Sequence, residues 1–294
     1  MTNTRRAHLA LLVTTLIFGL HYSIAKSLMS GIFSPAQLIF IRLFGGVIIF
    51  WIFQKLFIHE KVEKRDLVKL AVCGILGFAL NQALFYEGLN LTSPVDASLI
   101  HVLNPMLVLV FAHLIIREKV TWTKAAGIAT GASGAVILIV YGRTLNFESH
   151  HTIGNILVFL NMVFYALYIV VIKPLTTKYH TSTILKWVSL FGFMSILPFT
   201  VKPALEINFM AITWPAYLGL AYIIVMNTFI AYMLINFALK HLTTTTVSYY
   251  NYLQPFIAAV MTVSIGQDII TWPKILAGLL IFAGVYIVNK SNPV

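Results

Sequence analysis

From residue 7 onward the chain alternates long apolar runs with short polar breaks. The runs share a length of about 20 residues, which is what a helix needs to cross about 30 Å of hydrocarbon. Ten of them fall at 7–29, 35–57, 67–88, 94–116, 121–141, 152–175, 181–200, 213–239, 243–265 and 271–289. The fold class this predicts is all-α and integral to a membrane, with ten transmembrane helices. The longest polar breaks, around 58–66 and 142–151, lack the composition of a folded domain. The first run, with Arg5 and Arg6 before it, superficially resembles a secretory signal. It continues through His21 and Ser23 to Met29 without an A-x-A cleavage site, as a retained span would.

Composition agrees with the pattern. Of 294 residues, 59% are hydrophobic and 10% charged, with a mean hydropathy of +0.89, whereas a soluble domain has about a quarter of its residues charged. The net charge of +11 would suggest nucleic acid as a partner of a soluble chain. Its distribution says otherwise. With the N-terminus inside, cytoplasmic segments hold Arg5, Arg6, Lys55, Lys61, Lys64, Arg65, Lys69, Arg117, Lys119, Lys124, Lys173, Lys178, Lys186, Lys240 and Lys290, against Lys26, Arg143, Lys202 and Lys274 outside. That bias places both termini in the cytoplasm of a plasma (inner) membrane protein, with the lipid bilayer rather than nucleic acid as partner. A single cysteine, Cys73, excludes an intramolecular disulfide, and no Cys/His spacing suggests a metal site or cofactor.

Shifting the sequence by 150 residues lays 84–140 on 234–290 without a gap. Leu84, Leu89, Ser98, Leu103, Pro105, Val110, Ile115, Gly134 and Ile137 meet identical residues, and Thr-Trp-x-Lys at 121–124 meets its copy at 271–274. Lys26 and Lys173 also correspond once the offset is relaxed by a few residues. The division this predicts is 1–146, carrying helices 1–5, and 147–294, carrying helices 6–10. Five is odd, so the second copy enters the membrane upside down. Inverted repeats commonly build secondary transporters, since two halves of opposite orientation can exchange inward-open and outward-open arrangements around one site.

Ser93-Pro94-Val95-Asp96-Ala97-Ser98-Leu99-Ile100, Leu103-Asn104-Pro105, Arg117-Glu118-Lys119-Val120-Thr121, Gly127 and Gly134 resemble the end of an EamA domain of the drug/metabolite transporter superfamily. Val247-Ser248, Leu253-Gln254-Pro255, Asp268, Thr271, Gly278 and Gly284 repeat it. Ile17-Phe18-Gly19-Leu20-His21-Tyr22-Ser23 with Lys26 is similar to that family's opening helix, and Arg42 sits where its second helix often carries an arginine. The resemblance implies a 5+5 inverted-repeat carrier with a central cavity built mainly from helices 1, 3, 4, 6, 8 and 9, often an exporter of amino acids or other small metabolites. The chain departs from the family at Ile116-Arg117, where a glycine is usual before the acidic residue, at Asp268 in place of Glu, and at His21 in place of a small polar residue.

Candidate site residues follow from depth and helical spacing. At about 1.5 Å per residue, Asn104 and Pro105 of helix 4 and Gln254 and Pro255 of helix 9 lie near the midplane. Each proline frees backbone carbonyls that can face a cavity. Ser98, His101 and Pro105 share a helical face, as do Ser248, Asn251 and Pro255. This paired polar stripe is the predicted substrate path, with interhelical hydrogen bonding as the alternative. His21, Arg42 and His101, with Asn81 and Gln82 nearby, could hold a carboxylate or phosphate, or the histidines could take up protons. Arg42 alone reads as a helix-locking or gating residue, with Pro105 and Pro255 as kinks and Glu118 and Asp268 as helix caps or ion-pair partners of Lys124 and Lys274. Glu87 and Asp96 read as solvated rim residues. Tyr168, Tyr249, Tyr252 and Asn227 complete the candidate contacts, and the glycine-rich helices 5 and 10 are predicted packing or dimer surfaces. No catalytic group is expected. The predicted function is a secondary active exporter of a small, amino-acid-like or amphipathic molecule, against the alternatives of a passive facilitator or channel and a membrane-embedded lipid-handling protein or enzyme. The oligomeric state is open.

Overall fold

The computed structural model describes residues 3–116, 121–140, 150–242 and 244–290, with a few side chains inside those helices left undescribed. The described residues form helices and connecting turns, with no strand among them. In chain order the α-helices are α1 (Asn3–Met29), α2 (Pro35–Phe57), α3 (Lys64–Gly74), α4 (Asn81–Leu91), α5 (Pro94–His101), α6 (Asn104–Ile116), α7 (Trp122–Val140) and α8 (His150–Lys178). They continue with α9 (Thr181–Leu205), α10 (Trp214–Ala221), α11 (Ala231–His241), α12 (Thr244–Tyr249), α13 (Gln254–Ser264) and α14 (Trp272–Lys290). Seven helical runs among the described residues are long and apolar enough to cross a membrane. Large apolar side chains such as Leu16, Phe44, Ile52, Phe199 and Leu279 cover the outer surface, as a bilayer solvent requires.

Several boundaries follow directly from local chemistry. Pro35 and Pro94 open α2 and α5, where a missing N–H costs nothing. Ser34 caps α2 in a reciprocal box with Gln37, and Ser93 accepts from the Asp96 N–H at the start of α5. Gly31, at φ 92°, makes the tight turn that ends α1.

Two helices are interrupted by π-helical segments, Ile75–Leu80 between α3 and α4 and Tyr222–Ile230 between α10 and α11. In the second, Thr228 Oγ1 donates to the Ile223 carbonyl 2.8 Å away, five residues back. Two others are broken rather than merely kinked: residues 102 and 103 separate α5 from α6, and a 3₁₀ segment, Tyr250–Leu253, separates α12 from α13. In each case the break falls just before the Asn104-Pro105 or Gln254-Pro255 pair.

The 150-residue periodicity reappears in these boundaries. α4 and α11 begin at 81 and 231 and end at 91 and 241; α5 and α12 begin at 94 and 244; α7 and α14 run 122–140 and 272–290. The capping lysines repeat it. Lys26 Nζ donates to the carbonyls of Leu89, Asn90 and Thr92 at 2.9, 2.8 and 2.9 Å. Lys173 Nζ donates to those of Leu239 and Leu242, the residues 150 positions on from Leu89 and Thr92. Each lysine thus satisfies carbonyls that α4 or α11 leaves open at its C-terminus.

α7 and α14 pack against each other. A Cβ on Gly284 would lie 2.5 Å from the Gly127 carbonyl oxygen and the Gly131 nitrogen, so the glycines let two backbones touch. Of the two readings offered for these small-residue faces, packing within the chain is the one this contact serves.

Candidate functional site

A central cavity is walled by both sequence repeats. α1 contributes Phe18, His21 and Tyr22; α2 contributes Arg42; α4 contributes Asn81, Gln82 and Phe85; α5 contributes His101. From the second repeat come Asn161, Met162 and Tyr165 of α8, Asn227 of the π segment, Tyr232 of α11, Asn251 of the 3₁₀ segment and Gln254 of α13. The irregular segments place several of these. A π turn inserts one extra residue and rotates everything after it on the helix, and Asn81 and Gln82 follow the first π segment directly.

Polar groups meet across the repeats. Gln82 Nε2 donates to Tyr232 Oη at 3.0 Å, and these two residues are 150 positions apart. Asn81 and Asn161 exchange side-chain to backbone bonds, Nδ2 to carbonyl, at 3.1 and 2.7 Å. Tyr22 Oη donates to Gln254 Oε1 at 3.0 Å, and Gln254 Nε2 donates to Asn251 Oδ1 at 3.0 Å. Arg42 Nη1 lies 3.3 Å from both His21 Nε2 and Tyr86 Oη. The His21 ring stacks on Phe85, and His101 meets Tyr22 and Phe85 edge-on. Other polar atoms here have no partner: Nδ1 of His21, Nε of Arg42, Oδ1 of Asn161 and both amide atoms of Asn227.

The cavity has a volume of about 60 Å³, enough to hold ordered water. A second space of about 10 Å³ lies toward the N-terminal end of α1, lined by Thr14, Thr15, Asn104 and Tyr250, and it shares Tyr165 and Asn251 with the first. Both amide atoms of Asn104 are unpaired there. Beyond it His8 Nδ1 and Tyr250 Oη are hydrogen-bonded at 2.7 Å.

Ion-pair clusters join the two repeats at each end of the bundle. At the end where α3 begins and α8 finishes, Asp66 is 3% exposed and accepts from Lys178 Nζ at 2.6 Å and Tyr179 Oη at 2.8 Å. Lys178 also reaches Glu63 at 2.7 Å. Hydrogen bonds from Lys178 and then Arg65 hold the Glu63 carboxyl below the ordinary carboxylate range. At the opposite end Asp96, 2% exposed, meets His151 at 3.0 Å and Lys274 at 3.5 Å. Asp268 accepts from Lys274 at 2.7 Å and from the Val95 N–H at 3.3 Å. Gln267 Nε2 donates to Ser27 Oγ at 2.6 Å.

The sequence candidates therefore divide. His21, Asn81, His101, Asn227 and Asn251 face the central cavity, as does Arg42, for which the sequence offers both a helix-locking or gating role and an anion-holding one beside the histidines. Asn104 faces the smaller space. Ser98 and Tyr168 are buried elsewhere: Ser98 Oγ donates to the Val95 carbonyl at 2.7 Å, and the Tyr168 ring packs against Phe78 and Gly77. Pro105 and Pro255 follow the helix breaks, and Asp268 pairs with Lys274. Glu118 lies outside the described residues, as do the side chains of Ser248, Tyr249, Tyr252 and Lys124. Glu87 is exposed, whereas Asp96 is a buried ion-pair partner and not a solvated rim residue. Phe18, Tyr22, Phe85, Asn161, Met162, Tyr165 and Tyr232 also line the cavity, as do Gln82 and Gln254. The mid-span amides Gln82, Asn161 and Gln254 carried the available signal.

A sequence model of the EamA-like transporter family matches residues 5–140 and again 152–290. The chain is 26% identical to the uncharacterized transporter YyaM of Bacillus subtilis (strain 168), covering 97% of this chain and 96% of that protein. It is 25% identical to an uncharacterized transporter of Archaeoglobus fulgidus, over 98% of both. A protein of Streptantibioticus cattleyicolor named as a probable terminal-alkyne amino-acid exporter is 25% identical, over 79% of this chain and 76% of its own length. One crystal structure shares the fold, with a TM-score of 0.65 over 97% of both chains at 17% identity.

Proposed function

The chain belongs to the EamA-like transporter family of the drug/metabolite transporter superfamily, and from that premise we propose that it is a secondary active carrier exporting a small amphipathic metabolite of the amino-acid kind. Membership makes it a multi-pass membrane transporter with a small-molecule substrate. The proposal adds mechanism. Joining α3 to α4, α5 to α6, α10 to α11 and α12 to α13 gives ten spans, five per repeat over 1–146 and 147–294, with the second repeat inverted and both termini cytoplasmic.

The observation that carries this reading is the shared wall: residues of both repeats line one cavity, with Gln82 and its 150-residue counterpart Tyr232 bonded across it. Two inverted halves around one site can open it to either side in turn. The Asp66–Lys178 cluster closes the cytoplasmic end and the Asp96–Lys274–Asp268 cluster the outer end, each joining one repeat to the other. The cavity residues His21, Asn81, His101, Asn227 and Asn251 contact the substrate, with Asn104 on the inner path and Arg42 at the outer wall. The named function of the Streptantibioticus relative supports an exported amino-acid-like solute.

Counterflow in liposomes, run against amino acids, nucleosides and aromatic cations, tests the proposal. Saturable exchange is expected. Conductance that does not saturate would favour a channel instead. If imposed pH gradients leave initial rates unaltered, proton coupling through His21 or His101 is excluded.

A further inference from the structure

Lys26, Lys173 and Arg42 all lie within helices of this bundle away from any carboxylate pair, and the fold treats them differently. Lys26 takes three backbone carbonyls and Lys173 takes two. Arg42 is 3% exposed and takes none. Its described contacts are Tyr86 Oη and His21 Nε2, both at 3.3 Å, with the guanidinium carbon 5.8 Å from the Tyr86 ring centre. An arginine whose purpose was to tie helices together would take carbonyls, as the lysines do.

The donor count is also incomplete. A guanidinium can only donate and stays charged in proteins, so His21 Nε2 must be the acceptor and the ring proton sits on Nδ1. That places two N–H donors, His21 Nδ1 and Arg42 Nε, in the buried wall without an acceptor. Among the described residues Arg42 is the one fixed charge on the cavity, and no Asp or Glu lines the space. Buried unpaired donors beside an uncompensated cation cost stability, and a ligand carrying two acceptor oxygens and a negative charge relieves both.

We infer, on the carrier reading above, that the substrate is recognised through a carboxylate held between Arg42 and His21, and that the corresponding cations are rejected. The unpaired Oδ1 atoms of Asn161 and Asn227 provide acceptors for a neutral or ammonium group elsewhere on the molecule, but an ammonium is not required. A solute that is only cationic meets the field of Arg42 with no carboxylate to offset it.

The test uses matched probes: leucine, 4-methyl-2-oxopentanoate and leucinamide, and the same trio built on phenylalanine. Each trio holds the side chain constant while the head group is a zwitterion, an anion or a cation. Thermal stabilisation of the detergent-solubilised protein reads binding without transport, and inhibition of counterflow reads the transported site. The acids of at least one trio should bind and the amides should not. Arg42→Gln should weaken acid binding by about 10- to 100-fold, as expected for charge-assisted bonds, with part of it restored in Arg42→Lys. Ligand-free Arg42→Gln should unfold no earlier than the parent, which a helix-locking arginine would not allow. Amides binding as well as acids, no carboxylate binding at all, or acid affinity unchanged in Arg42→Gln would each overturn the inference. Because head-group selectivity is read on the unaltered protein, a variant that fails to fold leaves that arm intact and itself counts for a locking role. Saturable counterflow of amides alone would sink the carboxylate and keep the carrier; carboxylate binding without counterflow would do the reverse.

Discussion

Asp66→Asn removes one charge from the cluster that closes the cytoplasmic end and leaves the shape of the side chain almost unchanged. In the parent, Asp66 accepts from Lys178 at 2.6 Å and Tyr179 at 2.8 Å, with Lys69 at 3.7 Å. The amide keeps an acceptor for Tyr179, and Lys178 keeps Glu63 at 2.7 Å. Breaking a fully buried pair from one side costs about 3–5 kcal/mol, whereas an exposed pair is worth about 0–1 kcal/mol. Asp66 is buried but the Lys178 side chain is 37% exposed, so the loss falls between these limits. About 1–2 kcal/mol is a reasonable figure, which moves a two-state population by roughly 5- to 30-fold.

If that cluster is the cytoplasmic lock of an alternating-access cycle, the shift is toward the inward-open arrangement. Thr14 lines the smaller space on the inner path, and its hydroxyl bonds only to the Ala10 carbonyl of its own helix. In a Cys73→Ala background, a Thr14→Cys reporter should therefore react with a membrane-impermeant maleimide from the cytoplasmic side faster in Asp66→Asn than in the parent, by about the same 5- to 30-fold. Asp96→Asn, which weakens the outer cluster, should slow the same reporter. Labelling no faster in Asp66→Asn would refute the lock. Acceleration by both substitutions would show general loosening and refute the reciprocity on which the mechanism depends.

Further outcomes follow from the packing. Lys26→Met leaves three C-terminal carbonyls near Leu89 without their donor, and thermal unfolding in detergent should show a loss of about 2–3 kcal/mol. Gly284→Ala forces the α7 and α14 backbones apart, because the new methyl would sit 2.5 Å from backbone atoms, and should cost about 1–3 kcal/mol. Gly278→Ala should be close to neutral by the same measurement, since its methyl would meet Leu99 at an ordinary 3.5 Å. The Glu63 carboxyl is held below its ordinary range by Lys178 and then Arg65, so its contribution is complete above the unfolded value near about 4.3 and is lost only as pH falls through the lower folded value. The unfolding temperature of the parent should therefore exceed that of Glu63→Gln by a constant margin from neutral pH down to mildly acidic pH, and the margin should close below it.

Much of the helical plan was legible because it is a matter of length and repetition. Runs of about 20 apolar residues fix where helices lie, and the 150-residue offset reappears in the boundaries of α4 and α11 and of α7 and α14. Pro105 and Pro255 signalled that two helices are irregular near mid-depth, although the chain breaks about two to five residues earlier, at 102–103 and 250–253. The π segments carried no such signal. Ile75–Leu80 is wholly apolar and Tyr222–Ile230 nearly so, and an extra residue in a turn changes neither length nor composition. It does change which side chains after it face inward, and those include Asn81 and Gln82. Helix faces were hard to assign for a related reason: a helix apolar nearly all round has no strong periodicity to orient it. Tyr165 and Tyr168, three residues apart, are both buried, yet only Tyr165 lines the cavity. Asp96 was misplaced because its partners, His151 and Lys274, are remote in sequence.

Arg42, Lys26 and Lys173 show where sequence reading reaches its limit. Each is a basic residue within or at the end of an apolar run, and hydropathy scores all three as costs to be met by some partner. The partner decides the role. Two lysines spend their donors on carbonyls at the ends of α4 and α11, so their charge is already used by the fold. Arg42 has the same charge, a planar head group suited to a carboxylate, and no acceptor of comparable strength within reach. If the fold supplied that acceptor, replacing Arg42 would weaken the protein as replacing Lys26 should. If a solute supplies it, Arg42→Gln and Lys26→Met part company: the first loses ligand affinity while keeping its unfolding temperature, and the second loses stability while keeping its selectivity for acids over amides. Measuring both variants by both readouts separates a charge that builds the carrier from one that chooses its cargo.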